Sequence, residues 1–229
     1  MSQVQKSISE EALFSYQNAF NSSPLNRIAL NAVTKTSLKA VSINRAAVTK
    51  HNHIYSHTVV AGPSTSQHSS GRCWIFAGLN LFRTPAAEKM KLEDFELSQT
   101  YLHFYDKLEK SNYFLESILD TLDEPTDGRL ISWIVRDPIQ DGGQWDMFVN
   151  LVEKYGVVPK IVMPESESSS STGQMNEKVT EKLREFACTL RRGHKTGLLE
   201  DALRDQKNEM LSTIYRMLCI HLGVPPQSF

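Results

Sequence analysis

The segment running from Cys73 through Trp74, Ile75, Phe76, Ala77, Leu79 and Leu81 to Phe82 constrains this chain most, because at helical spacing it leaves no polar face. A helix apolar on every side is one buried within a domain. The longest apolar run, Trp74 to Leu79, is far too short to span a bilayer. The pattern therefore predicts a buried helix inside a globular domain. It is entered through the turn-rich stretch Gly62-Pro63-Ser64-Thr65-Ser66-Gln67, and Thr84-Pro85 is expected to end it and begin another helical segment.

The rest of the chain is also patterned for helices. In residues 1–60, Ser7 and Glu10 have capping-box spacing, and Leu13, Tyr16, Gln17 and Phe20 share one face. Asn21-Ser22-Ser23 stops that helix where Pro24 can start the next. In residues 61–163, Phe95, Leu102, Tyr105, Leu108, Leu115 and Leu119 fit two helices joined near Lys110-Ser111. A short helix over 129–135, a helix over 144–155 closed by Gly156, and a short strand over 157–163 are expected next. Residues 164–173 form a Ser-rich linker or exposed loop. Two amphipathic helices follow, near 174–191 and 200–222, the second striped by Leu203, Met210, Leu211, Ile214, Leu218 and Cys219. The expected class is mainly α, in three parts: an N-terminal helical arm (1–60), a helical half-domain (61–163), and a Ser-rich loop with a helical insertion (164–229).

Charge and cysteine usage narrow the function. Lys and Arg number 25 against 26 Asp and Glu, a formal net charge of −1 over 229 residues, which excludes polyanion binding by bulk charge. Nucleic acid and membrane are not expected partners. The N-terminus has no apolar stretch of secretory length and carries Glu10 and Glu11. Three cysteines, Cys73, Cys188 and Cys219, are odd in number and widely spaced, so they make no disulfide framework. A reducing compartment, most simply the cytosol, is expected.

One cysteine has an unusual setting. A thiol attacks only as thiolate, and the first turn of a helix favours an anion. Gly71 lets the chain enter that turn without a Cβ. Acyl transfer also needs donors aimed at a developing oxyanion. The Cys73 amide can supply one, and the side-chain amide of Gln67, six residues upstream, another. Read blandly, Cys73 is a small core hydrophobe and Gln67 a surface residue. The spacing of Gln67, Gly71, Cys73 and Trp74 ahead of an apolar helix favours the chemical reading.

Gln67, Gly71, Arg72, Cys73 and Trp74 resemble the nucleophile motif of papain-like cysteine proteases. SSGRCWIFAGLN, FELSQTYLHFYDKLEKSNYFLESI and DGGQWDMFVNLVEKYGVVPK resemble one branch of them, the bleomycin hydrolases. The resemblance runs along most of the chain and is loosest before Asn52 and in the Ser-rich stretch. It implies the helical half of a papain-like α+β fold, with Cys73 as nucleophile and Gln67 as oxyanion donor. Gly142-Gly143 would be the backbone edge that pairs with an extended peptide substrate. It further implies a cytosolic thiol aminopeptidase, acting through a thioester acyl-enzyme and assembled as a homohexamer, with no cofactor or metal. Where the family usually has Asn before the Gln, this chain has Ser66.

Such a nucleophile needs a histidine base and a third group to orient it. His221 lies 148 residues after Cys73, but it sits at a helix end, where the dipole favours an imidazole, and no Asn follows. His51, His53 and His57 could be drawn as a metal cluster, yet no carboxylate or thiol lies near them, and a solvated polar segment is favoured. His68 neighbours Gln67 without any reason to face Cys73. His103 and His194 read as helix-surface residues, Cys188 and Cys219 as core, and 191–195 as a solvated basic helix end. The half bearing the His and Asn is not among these residues. The chain alone is thus expected to be inactive, and a non-catalytic product that associates with full-length subunits is the alternative.

Overall fold

Six of the eleven described helices start on a side-chain cap or a proline in the computed structural model, which describes residues 7–52, 54–59 and 62–228. The chain divides into two units, Met1–Thr58 and Val59–Phe229. In the first, α1 (Glu10–Asn21) is capped by Ser9, whose Oγ accepts from the Ala12 amide at 3.2 Å, so the cap is Ser9 and not Ser7. Helix α2 (Pro24–Val33) begins on Pro24, and α3 (Leu38–Val41) and α4 (Arg45–Lys50) begin behind Ser37 and Asn44 caps. None of these four helices buries a described residue.

The second unit is built around α6 (Gln99–Asp120). It is a single helix rather than two, because Ser111 turns its hydroxyl back onto the Lys107 carbonyl at 2.7 Å and so stays within the helix. On one side lie α10 (Gly173–Lys195) and α11 (Glu200–Leu222), which contribute Met175, Val179, Leu183 and Leu190, and Leu203, Ile214 and Leu218, to a core shared with Leu115 and Ile118 of α6. On another side lie α5 (Cys73–Met90) and α8 (Trp145–Tyr155), where Gly78 admits the Phe148 ring: a Cβ there would lie 2.4 Å from it. Helix α7 (Arg129–Ile134) precedes α8, which Gly156 closes at a φ of +73°.

Three local expectations are corrected. Thr84-Pro85 does not end α5. Proline removes only the amide that would bond the Leu81 carbonyl, and Leu81 is 64% exposed, so water can take that carbonyl. Nor is α5 buried all round, since Ile75, Phe76, Gly78 and Leu79 face inward while Cys73, Ala77 and Leu81 are exposed. Residues 157–163 make no strand. One isolated bridge pairs Pro159 with Leu97, and proline has no amide with which to extend a ladder. No strand occurs among the described residues, and no helix there is long and apolar enough to cross a membrane.

Candidate active site

Cys73 is the first residue of α5 and is exposed. First-turn amides have no preceding helical carbonyls to bind. Here Ile75 and Phe76 bond back to the Arg72 carbonyl, at 3.0 and 3.1 Å. The loop ahead of the helix is tightly tied. The Ser70 hydroxyl donates to the Gln67 carbonyl at 2.7 Å, and the Ser69 amide to the Ser170 carbonyl at 2.9 Å. His68 sits at a φ of +50° with its amide on Ser66 Oγ at 3.2 Å, so Ser66 shapes this turn. Gln67 is half-buried, with a buried Oε1 that has no partner.

Arg72, next to Cys73, has a fully buried side chain. Its guanidinium grips Glu165 through both nitrogens, at 3.1 and 2.8 Å, and Nε donates to Ser70 Oγ at 2.9 Å. It also lies over the Phe76 ring, 5.1 Å from the centroid. Ser169 adds a hydrogen bond to Glu165 at 2.6 Å. Burial pushes the Glu165 carboxyl up, but the bonds from Arg72 and Ser169 prevail and hold it below its ordinary value. The Ser-rich stretch is therefore no exposed loop. It forms the short helix α9 (Glu167–Ser170), started by a capping box at Ser166, with Ser169 buried and bonded to the Glu165 that holds Arg72.

Asp141 is the second anchor. Its Oδ2 accepts from the Gly71 amide at 3.0 Å and from Thr172 Oγ1 at 2.5 Å, and its Oδ1 from Asn176 Nδ2 and Lys107 Nζ, both at 2.7 Å. Burial works against ionisation here too, yet Lys107, Thr172 and Asn176 keep the carboxyl well below the usual range. Gly71 is glycine because a Cβ would stand 2.7 Å from the Asp141 Cβ. The Asp141 carbonyl accepts from the Trp74 indole at 2.9 Å. The same indole explains Gly143, where a Cβ would meet the ring at 2.4 Å, whereas a Cβ at Gly142 would meet nothing within 4 Å.

His103, expected on a surface, is fully buried on α6 with neither ring nitrogen hydrogen-bonded; burial first, then Lys107 and Arg72, push its pKa well below the ordinary imidazole value. His194 Nε2 pairs with Asp123 at 2.9 Å, His221 Nδ1 with Ser168 Oγ at 2.9 Å, and His57 Nδ1 with Ser56 at 3.0 Å. His53 lies outside the described residues, and among those described no group of three or more His, Cys, Asp or Glu could hold a metal. Cys219 packs against the core, but Cys188 is exposed and not core as expected. Arg191 is buried rather than solvated, with its guanidinium on the Thr121 and Glu124 carbonyls.

Nothing local in the sequence marks Arg72, Asp141 or Glu165 as interior groups. A signal for Lys107 was available. Thr100, His103, Lys107 and Ser111 recur at three- and four-residue steps, a polar stripe along one face of the helix, and all four are fully buried.

Comparison with known proteins gives a consistent answer. Residues 7–229 match the Peptidase C1-like family. The chain is 43% identical over 213 residues to the bleomycin hydrolase of Rattus norvegicus, spanning 91% of this chain and 47% of that one. It is 41% identical over 226 residues to aminopeptidase C of Listeria monocytogenes, spanning 99% and 51%. The crystal structure of PepW from Lactobacillus rhamnosis superposes with a TM-score of 0.92 at 38% identity, over 99% of this chain and 51% of that chain. The chain thus spans about half the length of these relatives.

Proposed function

The chain belongs to the Peptidase C1-like family, and on that premise we propose that it carries the nucleophile side of a cysteine aminopeptidase site that takes peptide substrates in the cytosol. Cys73 Sγ attacks the substrate carbonyl carbon, the amine leaves with a proton, and water hydrolyses the resulting thioester. The Cys73 amide and the Gln67 side-chain amide receive the oxyanion. Gly142-Gly143 offers main chain to an extended peptide. The observation that carries this reading is the exposed Cys73 at the first position of α5, on a loop fixed by Asp141 and Glu165.

The 229 residues on their own are proposed to lack turnover. His103 is enclosed, and none of the second unit's described histidines is hydrogen-bonded to Cys73. The test uses Cys188 as an internal control, since it is exposed like Cys73. A dipeptidyl chloromethyl ketone should alkylate Cys73 well ahead of Cys188, read by peptide mass spectrometry, while an aminoacyl-fluorophore is not cleaved. Equal labelling of the two thiols would refute the site. Cleavage abolished by Cys73→Ala would make the chain competent alone.

A second reading has its own observation. Ala77 and Leu81 on α5, Phe82 beside them and Trp145 on α8 are all exposed, and an uncovered apolar surface promotes association. On this reading the chain joins longer subunits of its family, including a homohexamer, without catalysing. Co-sedimentation with a full-length relative tests it.

A further inference from the structure

Residues 139–142 belong to no helix, yet each of their four successive carbonyls is taken by a side chain from α5 or α6. Lys107 Nζ donates to the Ile139 carbonyl, Lys110 Nζ to those of Gln140 and Gly142 at 2.8 Å each, and the Trp74 indole to that of Asp141 at 2.9 Å. Lys110 spends its third ammonium proton on Asp106 Oδ2 at 2.9 Å, so all three have acceptors. Its ammonium also lies 5.6 Å from the Trp74 ring centroid. Trp74 directly follows Cys73, and its ring is the surface against which Gly143 packs.

These donors fix the Gly142-Gly143 main chain at one height and direction relative to the start of α5. A helix or sheet would hold such a segment by backbone bonds. Here two lysines on one face of α6, three residues apart, replace them. Their cost is burial of charge, which is balanced locally: Lys107 meets Asp141 at 2.7 Å, and Lys110 meets Asp106, whose side chain is 2% exposed.

We propose that Lys110, with Lys107 and Trp74, is a positioning residue that sets the register between the Gly142-Gly143 edge and the Cys73 nucleophile. The proposal rests on the reading of Gly142-Gly143 as a peptide-binding edge. Lys110 touches neither the nucleophile nor the peptide; it acts through the Gln140 and Gly142 carbonyls. Its loss should weaken alignment of a peptide-like reagent and leave the intrinsic reactivity of the thiol alone.

The test compares two reagents on the intact 229-residue chain, with labelling of Cys73 divided by labelling of Cys188 in the same molecules. Iodoacetamide needs no edge, whereas a dipeptidyl chloromethyl ketone does. Lys110→Met should leave the iodoacetamide ratio within about twofold and lower the chloromethyl ketone ratio by roughly fivefold or more, as expected for losing two hydrogen bonds. Because Lys110→Met strands the buried Asp106, the charge-balanced Asp106→Asn/Lys110→Met pair is measured beside it, with both checked for a native melting transition. An unchanged chloromethyl ketone ratio in a folded variant overturns the proposal while the edge survives. Equal loss with both reagents also overturns it, since that marks a structural role only. No advantage of the chloromethyl ketone in the unsubstituted chain refutes the edge itself, under Proposed function.

Discussion

The two ends of α6 are buried by different physics. Its first half encloses Thr100, His103, Asp106 and Lys107 beside Arg72, Asp141 and Glu165. Its second half puts Phe114, Leu115 and Ile118 into the core with residues of α10 and α11. Apolar burial depends on area and volume, so that end can take many sequences of similar size. Polar burial depends on direction, because each donor and charge left unpaired costs free energy. The polar end lies under the loop that leads into Cys73. There, one arrangement of Gly71, Arg72 and Asp141 pairs the buried charges while leaving the His103 ring without a hydrogen bond, and the loop takes its shape from that pairing.

The contrast breaks most sharply at Arg72. Removing one partner of a buried pair strands the other, and Arg72→Met should cost about 3–5 kcal/mol in urea unfolding. The double variant Arg72→Met/Glu165→Met should recover most of that loss, because both charges are then gone. The exposed Lys178–Glu181 pair provides the scale; such surface pairs contribute about 0–1 kcal/mol. If Arg72→Met costs no more than that, the polar end is not held as described.

At the apolar end the rule is volume. Leu115 is fully buried, and Leu115→Ala should cost about 2–5 kcal/mol through lost transfer energy and the cavity left behind. Leu115→Met, nearly conserving volume, should cost under about 1.5 kcal/mol. Similar losses for the two would mean that shape, not volume, rules this end also, and the comparison would lose its basis.

The same contrast explains what could be read in the sequence. The α8, α10 and α11 helices are legible because their period is local: Gly156 ends α8 as expected, and of the α11 stripe Leu203, Met210, Ile214 and Leu218 are buried while Leu211 and Cys219 are half-buried. The motif around Cys73 was legible for a related reason, since Gly71 and the helix start are adjacent in sequence. The polar cluster was not, because its pairs are remote. Arg72 reaches 93 residues to Glu165, and Gly71 reaches 70 to Asp141. Read locally, PESESSSS is a solvated tract, and only the buried guanidinium of Arg72 turns Glu165 and Ser169 into interior groups. His103 was misread for the same reason, because a helix polar on one stripe reads as exposed there unless something polar covers it.

The smallest expected effect separates the buried imidazole from the carboxylates around it. His103 has no hydrogen-bond partner at either nitrogen, and burial, with Lys107 and Arg72 adding to it and Asp141 opposing, lowers its pKa well below 6.5. The unfolded chain takes up a proton on this ring as pH falls through 6.5, while the folded chain does not. The unfolded state therefore binds more protons below that pH, and stability must fall with pH, by up to about 1.4 kcal/mol per unit for one group. Above pH 6.5 the ring is neutral in both states and contributes no slope. Asp141 and Glu165 also have lowered values, so their stabilisation is present above their unfolded pKa values of 3.8 and 4.5 and is lost only as pH falls below those. Between pH 6 and pH 5, then, the imidazole's slope exceeds that of these two carboxylates; burial raises the Asp106 carboxyl instead, so its contribution runs with the opposite sign, and the ring's slope is the difference between the unsubstituted chain and His103→Gln. Urea midpoints at pH 7, 6 and 5 should show the unsubstituted chain losing stability in steps that His103→Gln removes, while Asp141→Asn leaves the slope over this range intact. An identical slope in His103→Gln would mean that the buried ring binds its proton in the folded state as readily as in the unfolded one, and that the polar end of α6 accepts a fifth charge beside Lys107, Arg72, Asp141 and Lys110.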